Sequence, residues 1–340
     1  MKKIAIIGAG YLQLPLVRKA REMGLQSLCF AWEDGAVCRE ECDRFFPVSI
    51  TEKEEILRIC REEKVDGVCT IASDVAAPTV AYVAEQMGLP GNSYEAAVRA
   101  HDKYLMREML VAAGVDCPKT DGASLPVIVK PTDRSGSLGV QKVEREEDLA
   151  AAIALAKRLS IAGEVIVEEY IEGREISVEC ISQNGHHYGL QITDKVTTDA
   201  PHFVELEHHQ PSSLPADMQE RIFAITRRAL DALGLTNGAS HSEYKITKDG
   251  RIVVMEIGGR MGGDFIGSHL VQLSTGYDFL RGVIEVALGE PVAPEPKPIG
   301  RSSVVYTAPA DVSCSAERTG YIIYKNDEIY EQSVGSRTDL

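Results

Sequence analysis

Short apolar runs alternate along the chain with stretches in which apolar residues return every three or four positions. Residues 3–7 read as a strand, Gly8-Ala9-Gly10 as a turn and residues 11–23 as a helix; residues 27–31 then form a second strand. The pattern continues with helical spacing over 51–62, a strand over 67–71 and a helix over 78–87. This predicts a small α/β unit with a parallel sheet, ended by the turn-forming GLPGNS at 88–93. A helix over 93–113 carries Asp102 and Lys103 midway. A strand at 127–130 returns at 140–143, and a helix covers 147–159. Two strands lie within 164–181, and 202–211 reads as irregular. Helices follow at 215–233 and 275–288, with a proline-rich connector at 291–298. The tail, 301–340, holds short strands and stops at GSRTDL, a genuine terminus or a shortened one.

The densest pattern is ASHSEYKITKDGRIVVMEIGGRMGGD, residues 239–264. Asp249-Gly250 between two runs of β-formers predicts a hairpin with a two-residue loop. That register sets Lys248 against Arg251 and Glu243 against Glu256. Tyr244, Ile246, Val253, Met255 and Ile257 then share the opposite, buried face. Two carboxylates directly opposite repel, so a cation between them is expected. Hard oxygen donors suit Mg²⁺, which is usually shared with substrate phosphates. Two solvated acids on an exposed hairpin are the alternative.

Composition narrows the function classes. The formal net charge of −15 argues against nucleic-acid binding. Any anionic ligand must be held by local cations and backbone N–H groups. The eight cysteines form no paired framework, and Cys38 and Cys42 lack a second pair or a histidine. Free thiols in a cytoplasmic protein are expected, not a zinc site. No apolar run has membrane-spanning length.

Further candidate chemistry lies between these elements. Gly8-Ala9-Gly10 resembles a dinucleotide fingerprint, but Gln13 stands where its third glycine would come, so a tight turn without nucleotide is expected. Lys130 closes an apolar strand, and a buried ammonium needs an anion. The following DRSGSLG can close successive N–H groups over phosphates; an ordinary mobile hairpin with an exposed lysine is the alternative. DRSGSLG is no Walker loop, because no Gly-Lys-Ser/Thr follows. Glu168-Glu169-Tyr170-Ile171 leaves a strand with backbone groups free for a planar base. Glu205, His208 and His209 suit an ammonium group or a metal; exposed loop histidines are the alternative.

Lys103, Lys130, SGSLG, EEYIEG, then Glu243 and Glu256 with Arg260, in this order over essentially the whole chain, resemble the ATP-grasp superfamily. The resemblance implies a mixed α/β and α+β fold: an ATP-grasp fold behind a Rossmann-like N-terminal domain that does not bind NAD. The implied division is 1–95, then 96–300 with 115–185 as a small lid subdomain, then 301–340 packing on the ATP-grasp domain. ATP phosphates would meet Lys103 and Lys130, beneath Ser135, Gly136, Ser137 and Leu138. Glu168, Glu169, Tyr170 and Ile171 would line the adenine hinge, Glu175 the ribose side. Glu243 and Glu256 would carry Mg²⁺, with Mn²⁺ as an alternative. Many relatives read Glu-x-Asn where this chain reads Glu256-Ile257-Gly258, which removes one metal ligand.

KVTTDAPHFVELEHHQP and MEIGGRMGGDF look most like the L-amino-acid ligase branch. There Glu205 and His208 would line the amino-acid site, and Arg260 would hold a carboxylate or acyl phosphate. Arg260 and Lys130 are then the catalytic pair, in an ATP-dependent carboxylate–amine ligase. Its partners would be a small-molecule acid and amine, with no nucleic acid and no membrane; a homodimer is left open. Biotin-carboxylase-like and carbamoyl-phosphate-synthetase-like enzymes, purine-pathway carboxylases and a nucleotide-binding protein without ligase activity are the alternatives.

Overall fold

The computed structural model describes residues 1–198, 200, 202–309, 312 and 317–334; GSRTDL, 335–340, lies outside them. Strands β1 (Lys3–Ile7), β2 (Gln26–Phe30), β3 (Arg44–Phe46) and β4 (Gly67–Cys69) form a parallel sheet in the order β3-β2-β1-β4. Helices α1 (Leu14–Glu22), between β1 and β2, and α2 (Lys53–Glu63), between β3 and β4, supply connections parallel strands require, and α3 (Ala77–Met87) follows β4. The strands read as continuous apolar runs because both faces are covered. The opening turn is plugged: Gln13 accepts from the Gly10 N–H at 3.0 Å and donates to the Ile71 carbonyl at 2.7 Å.

The helix expected over 93–113 is two, α4 (Tyr94–His101) and α5 (Lys103–Ala112). Asp102 adopts an extended conformation and its carboxylate caps α5, accepting from the Tyr104 and Leu105 N–H groups. Lys103 therefore opens a helix. Strands β5 (Val127–Pro131), β6 (Gln141–Val143) and β7 (Val165–Glu169) form an antiparallel sheet in the order β6-β5-β7, covered by α6 (Glu146–Leu159).

The largest sheet has eight antiparallel strands. They are β8 (Arg174–Gln183), β9 (His186–Thr197), β10 (Glu205–Gln210), β11 (Gly238–Ile246), β12 (Ile252–Gly258), β13 (Ser302–Thr307), β14 (Gly320–Lys325) and β15 (Glu328–Val334). Their order is β12-β11-β8-β9-β10-β13-β14-β15. Three sequence expectations change here. β8 belongs to this sheet, although 115–185 places it in the small unit. Residues 205–210 are a strand and not irregular: ELEHHQ is extended because both edges are paired, to β9 and β13. The terminal strands extend the same sheet. Helices α7 (Ala216–Leu233), α8 (Val271–Thr275) and α9 (Phe279–Ala287) complete the elements used here. The apolar face of β8, β11 and β12 packs on α4, α5 and α7.

The central hairpin reaches its expected pairing by an unexpected route. Its loop has three residues, closed by Thr247 N–H to Arg251 O, with Gly250 at a φ of 84°. Ile246 faces Ile252 and Tyr244 faces Val254; an extra residue, Met255, then bulges and restores Glu243 opposite Glu256. The bulge also turns Met255 away from the expected core face and onto the wall of a cleft.

Candidate active site

That cleft encloses about 170 Å³ between the three-stranded sheet and the charged face of the eight-stranded one. Period-two alternation presents His241, Glu243 and Lys245 of β11 to it, while Tyr244 goes to the core. Their neighbours on β8 are matched in charge. Lys245 faces Glu175 at 3.1 Å, and the His241 ring meets Glu179. Glu243 and Glu256 both line the cleft, each on a lysine: Glu243 with Lys195 at 2.7 Å, Glu256 with Lys103 at 3.0 Å. Burial raises the Glu243 pKa, but Lys195 and His241 hold it well below the ordinary carboxylate value. Two carboxylates facing one cleft fit a hard divalent cation.

Lys130 is buried, and the anion beside its ammonium is Glu168, at 2.5 Å. Glu168 has no exposed surface and also accepts from Arg107 at 2.9 and 3.1 Å. Burial pulls the Lys130 pKa down against the attraction of Glu168, while Arg107 and Lys130 keep Glu168 ionised. The hinge expectation changes accordingly. On β7 alternation turns Glu168 inward as a counter-ion and sends Glu169 outward, to the Lys119 N–H and Arg251. Tyr170 lies under the Lys142 and Lys245 ammoniums, Ile171 is buried, and none of Glu169, Tyr170 and Ile171 reaches the cleft wall. Glu175 does.

Ser135, Gly136, Ser137 and Leu138 line the cleft from above. Gly136, Ser137 and Gly139 all have positive φ, a conformation glycine adopts without steric cost. The loop is tethered by Ser137 Oγ to the Phe203 carbonyl at 3.1 Å and by Lys103 Nζ to the Arg134 carbonyl at 2.6 Å.

Glu205, which lines the cleft, gathers with His208 and Asp264, which do not reach its wall. The His208 ring is fully buried, 3.6 Å from Glu205 and 3.9 Å from Asp264. Their donor atoms lie within 4.8 Å of one another, a spacing a metal could use. Lys195 pairs with Glu205 and Arg318 with Asp264 at 2.8 Å, so here, as at Glu243 and Glu256, a metal would have to displace a cation. Burial works against a charged His208, but the two carboxylates raise its pKa above the ordinary value. Lys195 thus bridges Glu243 and Glu205, and the contacts continue through His208 and Asp264 to Arg318. His209 points the other way, to Glu207 at 2.8 Å.

Arg260 also departs from expectation. Its fork grips the protein's own Asp74 with two bonds, Nε to Oδ1 at 2.7 Å and Nη2 to Oδ2 at 2.5 Å. It still lines the cleft.

Sequence reading missed Arg107, Lys195, His241, Glu179 and Asp74. Arg107 alone had a local signal, lying one helical turn after Lys103 and so on the same face of α5. Burial opposes a charged His241, yet Glu179 and Glu243 push its pKa up to about 9.

The fold agrees with what similarity to known proteins shows. Residues 123–268 match the ATP-grasp domain family. The chain is 29% identical over 245 residues to an alanine–anticapsin ligase of Bacillus subtilis, spanning 62% of this chain and 51% of that protein. The chain thus spans about half the length of the curated relatives it matches. In structure it resembles an L-amino acid ligase from Bacillus licheniformis, with a TM-score of 0.81 and 23% identity over 96% of this chain and 94% of that one. A biotin carboxylase from Campylobacter jejuni gives 0.75 and 21%, over 92% and 77%. At these identities the structural likeness is one of fold. No helix among the described residues is long and apolar enough to cross a membrane.

Proposed function

We propose that the chain is an ATP-dependent carboxylate–amine ligase that joins amino-acid substrates through an acyl phosphate. The observation that carries this reading is the convergence of Lys103, Lys130, Arg260 and the opposed Glu243 and Glu256 on one cleft under a Gly/Ser loop. Similarity to the alanine–anticapsin ligase supports amino acids as the substrate class.

In this reading Lys103 and Lys130 take up ATP phosphates, beneath Ser135, Gly136, Ser137 and Leu138. Glu243 and Glu256 hold Mg²⁺, or Mn²⁺, in place of their present lysine partners. When bound, that ion offsets charge on the phosphates during in-line transfer. The substrate carboxylate attacks the γ-phosphorus and ADP leaves. Arg260 offers planar donors to the resulting acyl phosphate. The amine then attacks the acyl carbon, and phosphate leaves with one former carboxylate oxygen. Glu205 and His208 orient the amine, and a neutral His208 can accept its proton. The 127–143 hairpin acts as the lid that keeps water from the acyl phosphate. The domain limits 1–95, 96–300 and 301–340 belong to the same proposal, with β8 moved out of the lid. The seven described cysteines are free, which supports a cytoplasmic setting.

ADP release measured over a matrix of amino-acid pairs, with mass analysis of the product, tests the proposal. The expected result is ADP release that needs both an acid and an amine, and a product lighter than their sum by one water. ATP binding with no such release for any pair would leave a nucleotide-binding protein, and the ligase reading would be withdrawn.

A further inference from the structure

The bond between Arg260 and Asp74 joins two parts of the chain 186 residues apart. Three features hold Asp74 in place. Residue 71 pairs with Met261 as an isolated parallel bridge, and the Ala72 N–H donates to the Met261 carbonyl at 3.0 Å. Ala72 itself has a φ of 59°, a left-handed conformation costly for a residue with a Cβ. Behind it, the buried amide of Gln13 holds the Ile71 carbonyl. The glycine turn that resembles a dinucleotide fingerprint therefore braces the segment that delivers Asp74.

On the other side, the room for Asp74 is made by Gly258. An ideal Cβ placed on Gly258 would lie 2.5 Å from Asp74 Oδ1 and 3.1 Å from Arg260 Nε. Any side chain there must displace the carboxylate or the guanidinium.

Donor arithmetic shows what this arrangement leaves over. A guanidinium has five N–H groups. Asp74 takes the one on Nε and one on Nη2, and the Met261 carbonyl takes one on Nη1 at 3.2 Å. One N–H remains on each terminal nitrogen of an arginine that lines the cleft. A guanidinium fixed along one edge presents the remaining donors in a set direction without reorganising when an anion arrives.

We propose that Asp74 is the positioning residue of the Arg260 anion clamp, reaching it through the gap left by Gly258. This rests on the ligase reading for its consequence in turnover, since the clamped anion there is the substrate carboxylate or acyl phosphate. Asp74 acts by holding Arg260.

The test compares Asp74→Ala, Asp74→Asn, Gly258→Ala and the double variant Asp74→Ala/Gly258→Ala. ADP release, ATP affinity by calorimetry and melting temperature are measured for each. Asp74→Ala and Gly258→Ala are each expected to lower kcat at least tenfold, with ATP affinity within about twofold of wild type. The double variant should be no slower than the worse single, because both remove the same contact. Asp74→Asn keeps the volume and one acceptor, and should fall between; it is the variant read if the alanine forms do not fold. Wild-type kcat in the folded single variants, with only a lower melting temperature, would show a structural tie and overturn the proposal. Multiplying losses in the double variant would overturn it too. A wild-type protein that releases no ADP with any substrate pair removes the ligase reading alone. The melting temperatures then decide: equal shifts in singles and double support the shared contact, and additive shifts refute it.

Discussion

Arg260→Lys is expected to cut substrate-dependent ADP release by about a hundredfold or more while ATP affinity stays close to wild type. The scale is that of losing one preorganised donor to transition-state charge. Lysine keeps the charge but not the fork. It can make one bond to Asp74 where arginine makes two, at 2.7 and 2.5 Å. Its ammonium then has no fixed direction, and the paired donors aimed at the acyl phosphate are lost. ATP itself would still be held by Lys103, Lys130 and the ion on Glu243 and Glu256, so its affinity should barely move. Steady-state ADP release beside ATP calorimetry separates the two quantities. Full turnover in Arg260→Lys would show that the clamp is not needed.

Lys130→Ala is expected to weaken ATP binding by roughly ten- to a hundredfold. A hydrogen bond to a charged group contributes about 1.5–3 kcal/mol, and each 1.4 kcal/mol is about tenfold in affinity. The structure adds a second consequence. Lys130 is one of two cations on the fully buried Glu168. Breaking a buried pair outright costs roughly 3–5 kcal/mol; here Arg107 keeps two hydrogen bonds to Glu168, so the loss of stability should be smaller. The variant should melt lower yet fold. Calorimetry below its melting temperature is the check, and unchanged ATP affinity would remove Lys130 from the nucleotide site.

Much of the architecture was legible because local chemistry matched the fold. Parallel strands announced themselves as apolar runs, and Asp-Gly marked the hairpin. The Glu243–Glu256 pairing followed from that turn, although a longer loop and a bulge at Met255 cancelled to give it. The strand of charged residues was harder. ELEHHQ carries acids and imidazoles because one face of β10 looks into a charged site, so it lacks the alternation that marks an ordinary strand. The helix break at Asp102 depends on a side chain choosing to cap, which spacing alone does not reveal.

What stayed hidden in the site was counter-charge. Glu168 looked like part of a hinge and serves a lysine 38 positions earlier in the chain, across the β5–β7 ladder. Lys195 sits on an ordinary-looking strand, and only packing brings it against Glu205 and Glu243. Asp74 lies in a different sheet's connection, where nothing in its neighbours announces Arg260. A single sequence shows which residues carry charge; the fold decides which charges cancel one another and which remain for a ligand.

The ligase reading requires transfer of phosphate to a carboxylate before amide formation. It can be followed with an acid substrate labelled with ¹⁸O in its carboxylate, incubated with unlabelled ATP, Mg²⁺ and the amine. Mass analysis of the inorganic phosphate is the measurement. An acyl-phosphate route predicts one ¹⁸O in each phosphate released, since the carboxylate oxygen leaves with phosphorus. Phosphate free of label, formed together with the amide product, would contradict it.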